Sequence, residues 1–237
     1  MQVLAVSPTG ALTFHSFFCY LPGMSRALRL CGVILAAGES ERMGTDKALL
    51  PWPPAAPGHA KAGTFLSAAV ASLELSTDLV IVVAGKNQSH LAPIVYASGA
   101  FMVVNPEPAR GQFSSMQVGL QAVLSRGRDA AMVTLVDRPP VSAATVERLH
   151  TAFDTAIRRW KWGVVPEYAG RHGHPIALAR EMIEAFLKAP ATATAREIEH
   201  QNREHLEYVE VDDPLVTANI NTPAEYEALR SSTTFSL

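Results

Sequence analysis

From Cys31 onward, short unbroken apolar runs alternate with longer stretches in which apolar residues recur at helical spacing. Apolar runs without alternation suit strands buried on both faces, as in a parallel sheet, and the 3.6-residue period suits amphipathic helices lying on such a sheet. The pattern predicts strands at Gly32 to Ala36, Leu79 to Val83, Phe101 to Val104, Ala131 to Val136 and Gly163 to Pro166. Helices are predicted over Thr64 to Leu75, Ser114 to Ser125 and Ala143 to Trp160, with a Pro/Gly/Ala-rich loop at Pro51 to Gly63. This alternation of strands and helices predicts a doubly wound α/β fold whose ligands lie beyond the carboxyl ends of the strands. After Pro166 the pattern changes. Glu167 to Leu178 predicts a hairpin turning near Arg171 to Gly173, followed by helical pieces at Glu181 to Lys188 and Ala195 to Asn202. A strand at Leu206 to Val211 and a helix at Pro223 to Arg230 complete the chain.

No repeat and no interdomain linker interrupts this pattern, so residues 29–237 are expected to form one domain. Residues 1–28 are read as an appendage. Met1 to Gly23 is apolar and aromatic, with Phe14, Phe17, Phe18 and Tyr20, but no Lys or Arg precedes its apolar part and Pro8 and Gly10 interrupt it. A secretory signal needs that positive flank and a membrane span needs a longer run. The segment therefore reads as an extension, or as sequence upstream of a start at Met24.

Composition narrows the function classes. Of 237 residues, 48% are hydrophobic and 18% charged, as in an ordinary globular protein, and the formal net charge of -2 offers no basic field for nucleic acid or a membrane. Cys19 and Cys31 have no metal-type spacing and read as small apolar fillers, and the cytoplasm is the default location.

The loop after the first strand, Leu35-Ala36-Ala37-Gly38-Glu39-Ser40-Glu41-Arg42-Met43-Gly44-Thr45-Asp46-Lys47, combines small residues, two glycines, an Arg and a Lys. A triphosphate needs close backbone approach, amide donors and positive charge, all of which this loop contains. It is neither a Walker A loop nor a dinucleotide fingerprint. Taken by its glycines alone, it could equally be an ordinary strand-to-helix turn. Asp137 follows the fourth strand, where it can be a metal ligand or a turn residue. Ser114 and Ser115 open a helix, as caps or as anion or base contacts. His172 and His174 stand two apart on an extended segment, and no third ligand near them in sequence supports a zinc site.

The loop resembles the L-A-A-G-x-S-x-R-M-G-x-x-K signature of the MobA-like nucleotidyltransferases. Three further segments match in order. Gly111-Gln112-Phe113-Ser114-Ser115-Met116-Gln117-Val118-Gly119-Leu120 resembles G-x-x-S-S-x-x-x-G-L, Val136-Asp137-Arg138-Pro139 resembles the D-x-P metal motif, and Asn219-Ile220-Asn221-Thr222-Pro223 resembles N-I-N-T-P. The resemblance runs from about Gly32 to Leu229. It implies a Rossmann-like, mostly parallel sheet with a β-hairpin insertion on the acceptor side.

It also implies a magnesium-dependent transfer of a nucleoside monophosphate with release of pyrophosphate. Leu35, Ala36, Ala37, Gly38 and Gly44 would wrap the triphosphate, Arg42 and Lys47 would counter its charge, and Ser114 and Ser115 would lie near base and ribose. Asp137 and Asn221 would hold Mg2+, while His174, Pro175 and Asn219 would face the acceptor. Leu-Ala-Ala-Gly, the Ser-Ser pair, Gly-His-Pro and Val211-Asp212-Asp213-Pro214 are similar to the molybdenum-cofactor cytidylyltransferase branch, which implies CTP, a molybdopterin acceptor and a molybdenum hydroxylase as the destination. That branch commonly ends in Asp-Ile-Asp, where this chain has Asn219 and Asn221. A guanylyl or sugar-phosphate nucleotidyltransferase, a non-catalytic cofactor chaperone and a dinucleotide-binding protein are the rival readings.

Overall fold

The computed structural model describes residues 29–53 and 63–232. Its first strand, β1 (Leu30–Leu35), is buried along its whole length because it is central. A two-residue ribbon, β2 (Pro51–Trp52) and β3 (Gly63–Thr64), precedes α1 (Phe65–Glu74), whose start is closed by a reciprocal capping box between Thr64 and Ser67. The chain continues through β4 (Leu79–Ala84), α2 (Gln88–Ala97), β5 (Phe101–Val104), α3 (Gln112–Ser125), β6 (Ala130–Leu135) and α4 (Ala143–Arg158). Then come β7 (Gly163–Tyr168), β8 (Arg171–His172), β9 (Ile176–Ala179), α5 (Arg180–Lys188), α6 (Ala195–Gln201), β10 (Leu206–Glu210) and α7 (Pro223–Ser232).

The main sheet has the order β10-β7-β9-β6-β1-β4-β5, with β8 paired to β7. β1 lies between β4 and β6, parallel to both. Its side chains alternate between two cores, as the pleat requires. Leu30, Ile34 and Ala36 join the layer containing α1, α2 and α4, while Cys31, Val33 and Leu35 join the layer containing α3 and α5. The doubly wound, mostly parallel architecture expected from the apolar pattern is thus present. Cys31 is a buried free thiol, and burial pushes its pKa up to about 12, which suits the filler role. Cys19 and the segment 1–28 lie outside the described residues. No helix among the described residues is long and apolar enough to cross a membrane.

Two elements differ from the sequence expectation. α2 has no counterpart in it, and Pro93, a residue type that commonly breaks a helix, stands inside α2. The hairpin turns at Ala169 and Gly170, both at positive φ, rather than near Arg171 to Gly173. Gly173 and His174 instead form an irregular step. Glu167 pairs with His172 but Val164 pairs with Ala177, so two extra residues accumulate on the returning side. The returning strand β9 then inserts between β7 and β6, antiparallel to both.

A third apolar cluster lies outside the two main layers. Met43, Leu50, Phe65, Ile220 and Tyr226 pack together, and Tyr226 Oη donates to the Pro51 carbonyl at 2.9 Å. This cluster joins the loop after β1 to α7 and the segment before it, and so brings distant motifs to one edge of the sheet.

Candidate active site

β1 and β6 run in register, Leu35 beside Leu135, and their carboxyl ends open together. The chain leaves β1 with Ala36 N donating to Val83 O at 2.9 Å, while Val136 N donates to Leu35 O at 3.0 Å. Above this edge lies a cleft of about 250 Å³, bounded by Ala37, Gly38 and Lys47 on one side, Gly111 and Ser115 on another, and Asp137 at the floor. A second hollow of about 380 Å³, between Glu39, Arg42 and Asn221, adjoins it across Ser40 and Lys47.

The glycine loop is held by its own side chains. Ser40 adopts a positive φ of 54°, and its Oγ accepts from Lys47 N at 3.1 Å. Asp46 accepts from Ala48 N at 3.0 Å through one oxygen and from Asn87 Nδ2 at 2.7 Å through the other. Asn87 also donates to Ala36 O at 3.0 Å, and its Oδ1 accepts from Gly85 N at 3.1 Å. Ser40 and Asn87 were not singled out in the sequence as site residues. Their one available signal was that Asn and Ser in turns often bond to backbone.

Lys47 is the meeting point. Its Nζ donates to Asn221 Oδ1 at 2.8 Å and lies 3.4 Å from Asp137 Oδ2. Arg42 Nη2 reaches the same Asn221 oxygen at 3.3 Å. Asn221 is fixed from behind, since Glu225 accepts from Asn221 N at 2.6 Å and Thr222 N at 3.0 Å. Those two backbone donors, with the nearby Arg42 charge, hold the Glu225 carboxyl below its usual range. Ile220 N donates to Asp137 O at 2.8 Å, tying the last motif to the third.

A hard divalent cation fits this donor set. Asp137 Oδ1 has no hydrogen-bond partner, and Asp137 Oδ2 and the neutral amide oxygen of Asn221 meet at the Lys47 ammonium. Among the described residues no group of three or more His, Cys, Asp or Glu could hold a metal. Two protein oxygens leave most of the coordination sphere to phosphate and water.

The remaining sequence candidates divide. Leu35, Ala37, Gly38, Lys47, Ser115 and Asp137 line the main cleft, and Arg42 and Asn221 line its neighbour. Ala36 does not: it is buried, with both backbone groups engaged below the loop. Gly44 lies in the loop at φ 69° and lines neither hollow. The serines are not caps, because α3 begins at Gln112 with Gly111 before it. Ser114 Oγ donates back to Gly111 O at 2.7 Å and accepts from Asn105 Nδ2 at 2.8 Å, so it is consumed inside the fold. Asn105, only 3% exposed, also donates to Ser115 Oγ at 3.0 Å and accepts from Glu107 N at 2.9 Å. It organises the approach to α3 and is not among the sequence candidates.

His174, Pro175 and Asn219 line neither hollow. His174 N donates to Val216 O at 2.9 Å, while Nδ1 is sealed and unpartnered. Burial, aided by the Arg138 charge, lowers its pKa to about 3, so the ring is neutral near pH 7. Pro175 is buried and Asn219 is exposed. His172 stacks on Tyr208 with ring centroids 4.2 Å apart, away from any shared metal arrangement with His174. Asp213, from the Val211-Asp212-Asp213-Pro214 segment, is a buried clamp that accepts from Thr145 Oγ1 at 2.8 Å and Ser142 N at 3.0 Å.

The family model of the MobA-like NTP transferase domain matches residues 32–207. A "Probable molybdenum cofactor guanylyltransferase" of Rhodopirellula baltica is 28% identical, over 83% of this chain and 89% of its own. The molybdenum cofactor cytidylyltransferase of Escherichia coli is 23% identical, over 82% of this chain and 92% of its own. Among solved structures, Rv0371c of Mycobacterium tuberculosis aligns with a TM-score of 0.71 at 26% identity, covering 86% of this chain and 100% of that one. The same protein has been solved in complex with manganese, with a TM-score of 0.64 at 22% identity, covering 86% and 100% of the two chains.

Proposed function

The chain belongs to the MobA-like NTP transferase family, and from that premise we propose that it transfers a nucleotidyl group to the molybdenum cofactor, using a divalent ion and CTP. The observation that carries this reading is the convergence of Lys47, Arg42, Asp137 and Asn221 where the cleft and its neighbouring hollow meet. A terminal phosphate oxygen of molybdopterin attacks the α-phosphorus of the NTP. The new oxygen–phosphorus bond forms as the bond to the bridging oxygen breaks, and pyrophosphate leaves with the electron pair. An ionised phosphate is already a nucleophile, so no general base is needed. What the reaction requires is alignment and charge.

Arg42 grips phosphate oxygens in a planar fork, and Lys47 delivers a mobile point charge to the leaving group. The Gly38 loop and the first turn of α3 close on the two sides of the nucleotide. Asp137 and Asn221 would hold Mg2+ or Mn2+, which when bound neutralises the triphosphate and polarises the α-phosphate. The manganese complex of the M. tuberculosis protein is consistent with that choice of metal. Delivery of the product to a molybdenum hydroxylase follows from the cytidylyl reading.

Base choice rests on Ala37. It is 7% exposed and lies in the cleft wall, and Gly85 packs so closely behind it that a Cβ built there would come within 2.7 Å of Ala37 O. The methyl group narrows the cleft wall there, which favours the smaller pyrimidine. Guanylyltransferases outnumber the cytidylyltransferase among the named relatives, which makes GTP the second reading. Pyrophosphate release, measured with each NTP, magnesium and molybdopterin, separates them. CTP is expected to exceed GTP by about tenfold or more in kcat/KM, and Ala37→Gly to erode the difference. Preference for GTP would make the protein a guanylyltransferase, and binding without turnover of any NTP would make it a cofactor chaperone.

A further inference from the structure

Lys47 stands on the ground that the metal would need. Its ammonium bonds Asn221 Oδ1 at 2.8 Å and lies 3.4 Å from Asp137 Oδ2, and its side chain is only 11% exposed. Magnesium takes oxygen ligands at about 2.0–2.1 Å and tolerates little distortion. An ammonium on the amide oxygen already engages the lone pair aimed into the site. Its charge also repels a divalent ion strongly where solvent screening is poor.

We propose that Lys47 is a placeholder for the divalent ion. It neutralises Asp137 and occupies Asn221 Oδ1 until a triphosphate offers it a better partner, and its transfer to phosphate frees Asp137 Oδ2 and leaves only the longer Arg42 contact, 3.3 Å, on Asn221 Oδ1. The proposal rests on reading Asp137 and Asn221 as the metal ligands. Lysine suits the task because a compact charge on a flexible four-carbon stem can exchange partners, whereas a guanidinium fork is bound to one geometry. Asn221 does not follow the lysine, because Glu225 pins its backbone at 2.6 Å. Nucleotide and metal then favour one another, since each draws on the same displacement of one side chain. The lysine that clamps phosphate during the reaction also keeps the site closed to free metal beforehand.

The test is Mn2+ binding to the full chain without nucleotide, followed by the electron paramagnetic resonance signal of free Mn2+. Lys47→Met removes the charge, keeps the length and adds no oxygen ligand. It should bind Mn2+ about tenfold or more tighter than the wild type, whereas Lys47→Arg should stay as weak as the wild type. Adding Asp137→Ala to Lys47→Met should abolish the gain. Unchanged or weaker Mn2+ binding by a Lys47→Met protein with an intact melting transition overturns the placeholder and leaves the metal ligands standing. Mn2+ affinity in the presence of CTP that is the same in Asp137→Ala as in the wild type overturns the assignment of the metal ligands themselves.

Discussion

At the scale of single residues, burial decides which charges the fold tolerates. His174 is held neutral because its Nδ1 is sealed and Arg138 stands near it, which puts its pKa at about 3 against an ordinary 6.5. The sign follows from the unfolded chain, where the imidazole takes up a proton below pH 6.5 while the folded one stays neutral. The group's contribution to stability is therefore complete above pH 6.5 and is lost as pH falls towards 3. Between pH 7 and 5 this linkage amounts to about 2 kcal/mol. Urea unfolding should show that loss in the wild type, and His174→Gln should flatten that part of the profile. An unchanged acid slope in the variant would mean that the ring is protonated within the fold. Arg138 shares the same environment: burial lowers its pKa, and its Nη1 reaches Val216 O and Ala218 O at 3.4 and 3.3 Å. Together the pair fastens the 214–218 turn to the sheet, which explains why a Gly-His-Pro motif stands here in a segment that lines neither hollow.

At the scale of elements, α3 is seated by the absence of a side chain. A Cβ at Gly119 would fall 2.8 Å from Val33 Cγ1 and 2.9 Å from Val83 Cγ2, so the helix lies directly on β1 and β4. Helix propensity alone would make Gly119→Ala stabilising by about 1 kcal/mol. The contact reverses that sign. Overpacking of this kind costs about 1–3 kcal/mol, and relief by tilting α3 would move Ser115 and Gly111 away from the cleft. The expected outcome is a lower urea midpoint together with a raised KM for nucleotide. A more stable variant with unchanged KM would show that α3 is seated by other contacts, such as Gln117 Nε2 donating to Phe186 O at 3.0 Å and Ala189 O at 3.2 Å. The hairpin illustrates the same dependence on contacts. Its turn falls at Ala169 and Gly170 because β8 and β9 keep different registers with β7, a distinction that apolar content does not carry.

At the scale of the whole molecule, the site is a junction of three distant stretches of chain. The loop after β1, the turn after β6 and the segment before α7 meet at Lys47, which is 90 residues from Asp137 and 174 from Asn221. Ligands that bridge such a junction stabilise the entire fold by mass action. At a hundredfold excess over Kd the gain is about 2.7 kcal/mol, or roughly 5–10 °C in Tm for a chain of this size. CTP with Mg2+ is expected to raise Tm by that amount, and by more than the sum of CTP alone and Mg2+ alone. Strict additivity in a thermal scan would mean that nucleotide and metal bind independently.

The sequence by itself determined the apolar strands, their alternation with amphipathic helices and the four motifs that mark the cleft. Those features are local. A buried strand must be apolar on both faces, so composition over a few residues carries it, whereas the four motifs are short strings marked by their resemblance to the MobA-like family. Only the tertiary structure decided that Ser114 turns into the fold while Ser115 faces the cleft, and that Asn105 and Asn87 hold the two sides of it. It also placed β9 between β7 and β6, and gave Asn221 to Lys47. Asparagine in a loop looks the same whether it bonds its neighbour or a strand fifty residues away. What separates the two cases is which carbonyls, amides and charges the packing brings within hydrogen-bond reach, and that depends on contacts between segments far apart in the chain.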